Sequence, residues 1–232
     1  MPGRALACAA ALAMAAAPAA AALKADPKNP SCPQNPDWGP LKPMQFSLVE
    51  REGRRVLLGE GVIDDALLPR LRAALDKHKP EEIWLRSVGG NARVGNEAGK
   101  LIRPTGIPTR IPAGWACFSA CNFVFMGGVL RYVDKGGLFI VHMFTHTGDR
   151  GAIEAEVLRG TDNTVGLIGQ IEQDSALLAS EDNDFLIRMG VSRKLLTEVM
   201  YRQKAVAEAG DGSTRRCLTQ EEVWKYNVAN VR

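Results

Sequence analysis

Apolar residues recur along the chain in two spacings, and each change of spacing marks a predicted element. Runs in which every residue or every second residue is apolar predict strands, while spacings of three and four predict helices. Glycine or proline separates many of these runs. In chain order, the predicted elements are a hairpin of 46–49 and 55–58, a helix capped by Asp64 or Asp65 and ending near 77, a strand at 83–85, a helix over 94–102, a strand at 109–111, a buried helix over 118–126, a strand at 138–141, two helices within 152–189, a helix over 191–203, and a last helix near Trp224 with a capping box at Thr219 and Glu222.

Strands alternate with helices up to residue 141, which predicts an α/β domain with crossover connections. The pattern is helical afterwards. We place this domain at residues 44–232. Six prolines between residues 27 and 43 deprive the preceding segment, 23–43, of regular backbone hydrogen bonds. This segment, called the arm below, is expected to lie extended on the outside of the domain.

The first 22 residues have the features of a secretory signal peptide. They contain a single charged side chain, Arg4, then an alanine-rich stretch, and they end on three alanines. The stretch is too short and too weakly apolar for a membrane-spanning helix. We therefore expect a periplasmic or secreted protein with no stable membrane insertion.

Composition supports a globular domain and argues against nucleic acid as a partner. The 232 residues are 46% hydrophobic and 24% charged, which excludes disorder. Lysine and arginine number 29 against 26 acidic residues, so the formal charge of +3 is too balanced for a surface that tracks phosphates.

The cysteines agree with an oxidising compartment. One of five lies within residues 1–22, and the other four allow three pairings. We expect Cys32 in the arm to pair with Cys217. Cys117 and Cys121 lie on either side of Ser119, where a bridge between them would distort the turn, so they are expected to be free buried thiols or to pair elsewhere. Since no second pair of ligands lies at a suitable spacing, no metal site is expected.

Three features of the chain together suggest acyl transfer. Ser119 opens a buried helix, His142 ends an apolar strand, and Gly89-Gly90 follows another strand. Serine is a nucleophile once a neutral imidazole accepts its proton. The amide of Ala120, with that of Gly89 or Gly90, could form an oxyanion hole.

Four segments resemble the proteolytic subunit of Clp protease and its relatives in the Clp/crotonase superfamily. They are 61–65 (GVIDD), 87–91 (SVGGN), 116–120 (ACFSA) and 136–142, in the family's order. The resemblance implies an α/β Clp/crotonase-like superhelix of repeated ββα units with a helical C-terminal part. It also implies a homo-oligomeric serine peptidase that acts on peptides or unfolded proteins through Ser119 and His142, without a cofactor. The subgroup most similar to the chain is exported and has a Cys-x-Ser-Ala-Cys segment.

Two positions depart from the family pattern. Val88 replaces a proline, which leaves both glycines in place. The family's third catalytic residue is an aspartate, and Arg215 occupies the comparable position here. Substitutes for that aspartate are Asp211, which we favour, and Glu181, Asp182 and Asp184.

Other interpretations remain open. His142 and His146 have the H-x-x-x-H spacing of a zinc site, although a strand would separate them by about 13 Å. A crotonase-type acyl-CoA enzyme would use the same fold and two amide donors but leaves Ser119 and His142 unexplained. A catalytically weak or inactive scaffold that binds a protein or peptide is the main alternative to an exported serine peptidase.

Overall fold

The computed structural model describes residues 24–207 and 214–232, and its elements follow the predicted order. The strands are β1 (Ala25–Asp26), β2 (Asn29–Pro33), β3 (Gln45–Arg51), β4 (Arg54–Glu60), β5 (Glu82–Arg86), β6 (Thr109–Ile111), β7 (Ala116–Phe118), β8 (Arg131–Val133), β9 (Leu138–His142) and β10 (Arg215–Cys217). The helices are α1 (Leu67–His78), α2 (Ala92–Ile102), α3 (Cys121–Met126), α4 (Arg150–Leu158), α5 (Thr161–Arg188) and α6 (Gln220–Lys225).

Strands β3 to β9 belong to two sheets, and from β6 onward successive strands alternate between them. The larger sheet has the order β3-β4-β5-β6-β8, with β3 antiparallel and the other strands parallel. The smaller sheet has the order β10-β9-β7. Thus β6 and β8 join the larger sheet, while β7 and β9, the strands that follow them, join the smaller one. A helix follows each of these pairs, so the predicted repetition of ββα units is confirmed.

The core lies between the sheets and helices α1, α2 and α3. Every residue of α3 is buried, as the uninterrupted apolar run predicted. Phe125 of α3 packs edge-on against Phe139 of β9, with ring centroids 5.9 Å apart. Phe123 packs in the same way against Phe185 near the end of α5, at 5.2 Å. Helix α3 therefore connects the strand that carries His142 to the C-terminal helices.

Three predictions of local structure need correction. Neither Asp64 nor Asp65 caps α1: Asp64 forms an ion pair with Arg70, and Asp65 accepts a hydrogen bond from Asn91. The segment 118–126 is not helical throughout, because Phe118 ends β7. The predicted helix over 191–203 is a π-helical turn at Leu195–Val199 followed by a 3₁₀ turn at Met200–Arg202.

The arm is more regular than its prolines suggest. Strands β1 and β2 pair as a short antiparallel hairpin, so the expectation that the arm lacks regular backbone hydrogen bonds was wrong. The arm also bonds to the smaller sheet, since the Asn29 side chain donates to the carbonyl of Arg215 at 2.7 Å. The disulfide predicted between Cys32 and Cys217 is present and joins the arm to β10.

The expectation of free thiols at Cys117 and Cys121 was wrong. The two residues form a disulfide, with their Cα atoms 5.3 Å apart. A bridge between them was expected to distort the turn. The chain reverses between β7 and α3, however, and this reversal alone brings the two Cα atoms within the usual disulfide range.

Helix α4 and the first half of α5 extend away from the core. No residue of α4 is buried, and the buried residues of α5 begin at Leu178. The two helices confirm the predicted division of the helical region. Across residues 24–207 and 214–232, no helix combines the length and the apolar character needed to cross a bilayer.

Candidate active site

Ser119 lies in a left-handed turn between β7 and α3. Its φ angle is +57°, a conformation that non-glycine residues seldom adopt outside functional or tightly constrained turns. The Cys117–Cys121 disulfide spans this turn. The amide of Ser119 and the side chain of Asn122 both donate to the carbonyl of Ile140, at 3.4 and 2.7 Å. The turn is therefore fixed to β9, two residues before His142.

The structure brings the predicted nucleophile and base together. Nε2 of His142 lies 2.7 Å from Oγ of Ser119, a hydrogen-bond distance. Burial lowers the pKa of His142 below 6.5, and a hydrogen bond with the backbone of Met143 partly opposes this effect. The imidazole is therefore neutral at pH 7 and able to accept the hydroxyl proton.

Asn122 is a residue next to the site that was not singled out from the sequence. Its side chain is buried, and its bond to Ile140 fixes the first turn of α3 relative to β9. The sequence did hold a signal for it, since Asn122 is an amide side chain within the apolar run 118–126. A buried polar side chain needs a hydrogen-bond partner, so its presence there predicts a specific contact.

The Gly89-Gly90 turn lies against the nucleophile turn. Both glycines have positive φ, and a Cβ on Gly89 would come within 2.7 Å of the Ser119 Cβ. The Gly89 amide donates to Oγ of Ser87 at 3.0 Å and is therefore occupied. Within the part of the chain that the structure describes, the amides of Gly90 and Ala120 make no hydrogen bond. These two amides remain available to an oxyanion.

A cleft of about 400 Å³ opens beside Ser119 and His142. Its lining comes from the start of α2, from the segment after β9 and from α5. Such a cleft can hold several atoms of a peptide beside the hydroxyl. Its lining residues are Gly90, Asn91, Ala92, Arg93, Ser119, His142, Phe144, Thr145, His146, Asp149, Asp174 and Leu178.

The position of the expected third acid carries a positive charge. Arg215 of β10 is the direct cross-strand partner of His142. Its guanidinium lies 3.8 Å from a carboxylate oxygen of Asp26 and 5.2 Å from the ring of Trp38, both in the arm. Trp38 also contacts Phe118, whose ring centroid is 4.8 Å from that of His142. The arm thus packs behind the imidazole.

None of the described carboxylates lies within ion-pair distance of His142. Of the four predicted substitutes, Glu181 pairs with Arg93 at 3.9 Å and Asp184 with Arg188 at 2.8 Å. Asp182 is buried near Asn96 of α2, and Asp211 lies outside the described residues. The structure therefore brings together a serine and a histidine without an orienting acid among the described residues.

The second histidine of the H-x-x-x-H spacing has a different environment. His146 packs edge-on against Phe144, with ring centroids 4.9 Å apart, while His142 contacts Ser119. Among the residues with described positions, no three histidine, cysteine or acidic side chains are grouped as metal ligands would be.

Comparisons with known proteins identify the fold. No protein-family model and no curated protein matches the chain. A mutant of ClpP1 from Listeria monocytogenes superimposes with a TM-score of 0.50 at 13% identity, over 75% of this chain and 88% of that one. This likeness shows that the chain has the Clp/crotonase fold, and at such identity it shows the fold alone.

Two further solved structures are similar at lower scores. A mutant of the 1510-N membrane-bound stomatin-specific protease gives a TM-score of 0.46 at 16% identity, over 76% of each chain. The human enoyl Coenzyme A hydratase domain-containing protein 3 gives 0.46 at 12% identity, over 80% of this chain and 69% of that one. Because the likeness to the ClpP1 mutant shows the fold alone, function has to be argued from the site.

Asp182 gives a pH prediction. Burial raises its pKa from 3.8 to about 7, against the effect of the Asn96 side chain and with a small contribution from Glu181. Between these pH values the unfolded chain loses a proton that the folded chain keeps. We expect the free energy of unfolding to fall as pH rises through this window, by up to about 1.4 kcal/mol per unit, and Asp182→Asn to remove that dependence.

Urea unfolding at pH 5 and pH 7.5 measures the difference. Asp184→Asn is the matched control, since Asp184 is on the same helix but exposed and paired. Equal pH dependence in the wild type and in Asp182→Asn would contradict the prediction.

Proposed function

We propose that this protein is an exported serine peptidase that hydrolyses peptide bonds through an acyl-enzyme formed on Ser119. The observation that carries the proposal is the 2.7 Å hydrogen bond between Ser119 Oγ and His142 Nε2 at a left-handed turn. Crotonase-type chemistry would not require this pair. The two disulfides support an oxidising compartment.

The reaction follows from the positions of the groups. Ser119 Oγ attacks the carbonyl carbon of the peptide while His142 Nε2 accepts its proton. The amides of Gly90 and Ala120 bind the oxyanion that develops on the carbonyl oxygen. His142 then protonates the departing amine, and water hydrolyses the acyl-enzyme with the same histidine as base.

Arg215 predicts a slow enzyme. The imidazolium that forms during the attack would face a cation across the strand pair rather than a carboxylate. A carboxylate oxygen of Asp26 lies 3.8 Å from this guanidinium. Loss of the orienting acid from a complete triad costs about 10⁴ in rate. Arg215 is also the observation that favours the second candidate, a peptide-binding scaffold without turnover.

The proposal includes self-association. Helices α4 and α5 expose apolar side chains that the core does not cover, notably Leu158 at 87% and Val165 at 62%. A second copy of the chain is the partner we propose for this surface.

Light scattering at micromolar concentration should therefore give a mass well above that of one mature chain. Leu158→Asp combined with Val165→Asp should reduce it to one chain, since both changes bury a charge in the contact. Leu41→Asp is the control, because Leu41 is also an exposed apolar residue, at 73%, but lies in the arm and not on these helices. A single-chain mass for the wild type across a dilution series would refute self-association.

A fluorophosphonate probe tests the nucleophile directly. We expect the probe to modify Ser119 because its oxygen is activated by His142. As the pH is lowered, the labelling rate should fall to half its plateau value at a pH below 6.5. The reason is that burial lowers the pKa of His142, so the neutral imidazole persists into mild acid. Mass mapping locates the modified residue.

The controls for labelling are variants of serine and histidine. Ser119→Ala should abolish labelling and His142→Ala should nearly do so, while Ser180→Ala, an exposed serine on α5, should not change it. A folded wild type that is no more reactive than Ser119→Ala would favour the scaffold.

Arg215→Asp should restore the missing acid. A carboxylate on β10 opposite His142 would orient the ring and stabilise the imidazolium, so labelling should accelerate by at least about tenfold, with a ceiling near 10⁴. The same carboxylate should raise the pKa of His142 and move the pH profile upward.

Arg215→Asn is the matched control because it removes the cation without adding a carboxylate. Equal rates and equal pH profiles for the two variants would show that this position does not reach the imidazole.

A further inference from the structure

The cleft beside Ser119 has two acidic walls. Asp149 lies at the start of α4 and Asp174 lies on α5, and both line the cleft. Both carboxylates belong to residues that line the cleft that holds the Ser119–His142 pair. A specificity assigned to these walls rests on the proposed function, because it concerns the substrate of that same site.

The negative charge of these walls is only partly neutralised. Arg93 is the cationic side chain of the lining, and it lies 4.0 Å from Asp174 and 3.9 Å from Glu181, so one cation is shared between two carboxylates. The Asp149 side chain does not cap α4, and it makes no ion pair with another described residue. A substrate group entering the cleft therefore meets an excess of negative charge.

The floor of the cleft is apolar. Leu178 is 4% exposed there, one helical turn from Asp174. The Phe144 ring forms the facing side and is held edge-on by His146. An aliphatic stem can pack along these side chains while a charged end group stays at the wall, the arrangement that lysine and arginine favour.

We propose that the cleft binds the side chain of a lysine or arginine in the substrate peptide, with Asp149 and Asp174 as the residues that determine this specificity. The stem packs on Leu178 and Phe144, and the cation lies between the two carboxylates. An acidic side chain would be repelled there. A purely apolar one would remove the carboxylates from water without replacing their hydrogen bonds.

Peptide binding to the Ser119→Ala full-length chain tests the proposal without requiring turnover. The probes are fluorescein-labelled Ala-Ala-Lys-Ala-Ala and the same peptide with norleucine in place of lysine, measured by fluorescence anisotropy. We expect the lysine peptide to bind at least about fivefold more tightly, as for two partly exposed ion pairs. Raising the salt concentration should weaken only the lysine peptide.

Variants locate the effect. Asp149→Asn combined with Asp174→Asn should bring the two affinities to within about twofold of each other, since the charge is lost at nearly constant shape. Glu172→Gln is the control, an exposed acid on α5 outside the cleft. Equal affinities of both peptides for Ser119→Ala, or a lysine preference that survives the double variant, would overturn the proposal.

Failure of the specificity proposal and failure of the peptidase proposal give different results. If the fluorophosphonate fails to modify Ser119 but the lysine preference depends on the two aspartates, the peptidase proposal falls and the specificity proposal stands. If Ser119 is modified and no preference exists, the reverse holds.

Discussion

The left-handed turn at Ser119 is the constraint on which the site depends. A non-glycine residue in this conformation costs about 1–3 kcal/mol, so the surrounding structure has to hold it. Here the Cys117–Cys121 disulfide closes the turn, and the Ile140 carbonyl accepts hydrogen bonds from both the Ser119 amide and Asn122. Because Ile140 and His142 belong to the same strand, the interactions that maintain the turn also set the distance between serine and histidine.

The smaller sheet determines which backbone positions neighbour the histidine. His142 lies at the end of β9, between β7, which leads into the nucleophile turn, and β10. Its cross-strand partner on β10 is Arg215. The arm is part of this arrangement, since Cys32–Cys217 fixes it to β10 and Asp26 forms an ion pair with Arg215. A segment that looked like a surface extension in the sequence is thus a support of the site.

The sequence predicted those parts of the site that depend on local patterns. Gly89-Gly90, Ser119 and the strand before His142 stand beside breaks in apolar runs, and the structure brings them together. The Cys117–Cys121 bridge was missed because it depends on the backbone conformation of one residue. Asp174 was missed because it reaches the cleft only through the return of a 28-residue helix. A separation of this kind leaves no periodic signal. The resemblance drew attention to Arg215, which is the cross-strand partner of His142, but its contacts with the arm were not predictable.

Helix α5 connects the cleft to both the core and the exposed helices. Asp174, Leu178 and Asp182 are spaced by four residues and so share one face of the helix. Along this face exposure falls from 42% for the Asp174 side chain to 4% at Leu178 and 5% at Asp182. The cleft therefore lies at the point where α5 leaves the core. A second copy of the chain seated on the exposed half of α5 would border the cleft, so the same helix would govern both assembly and access of a peptide to Ser119.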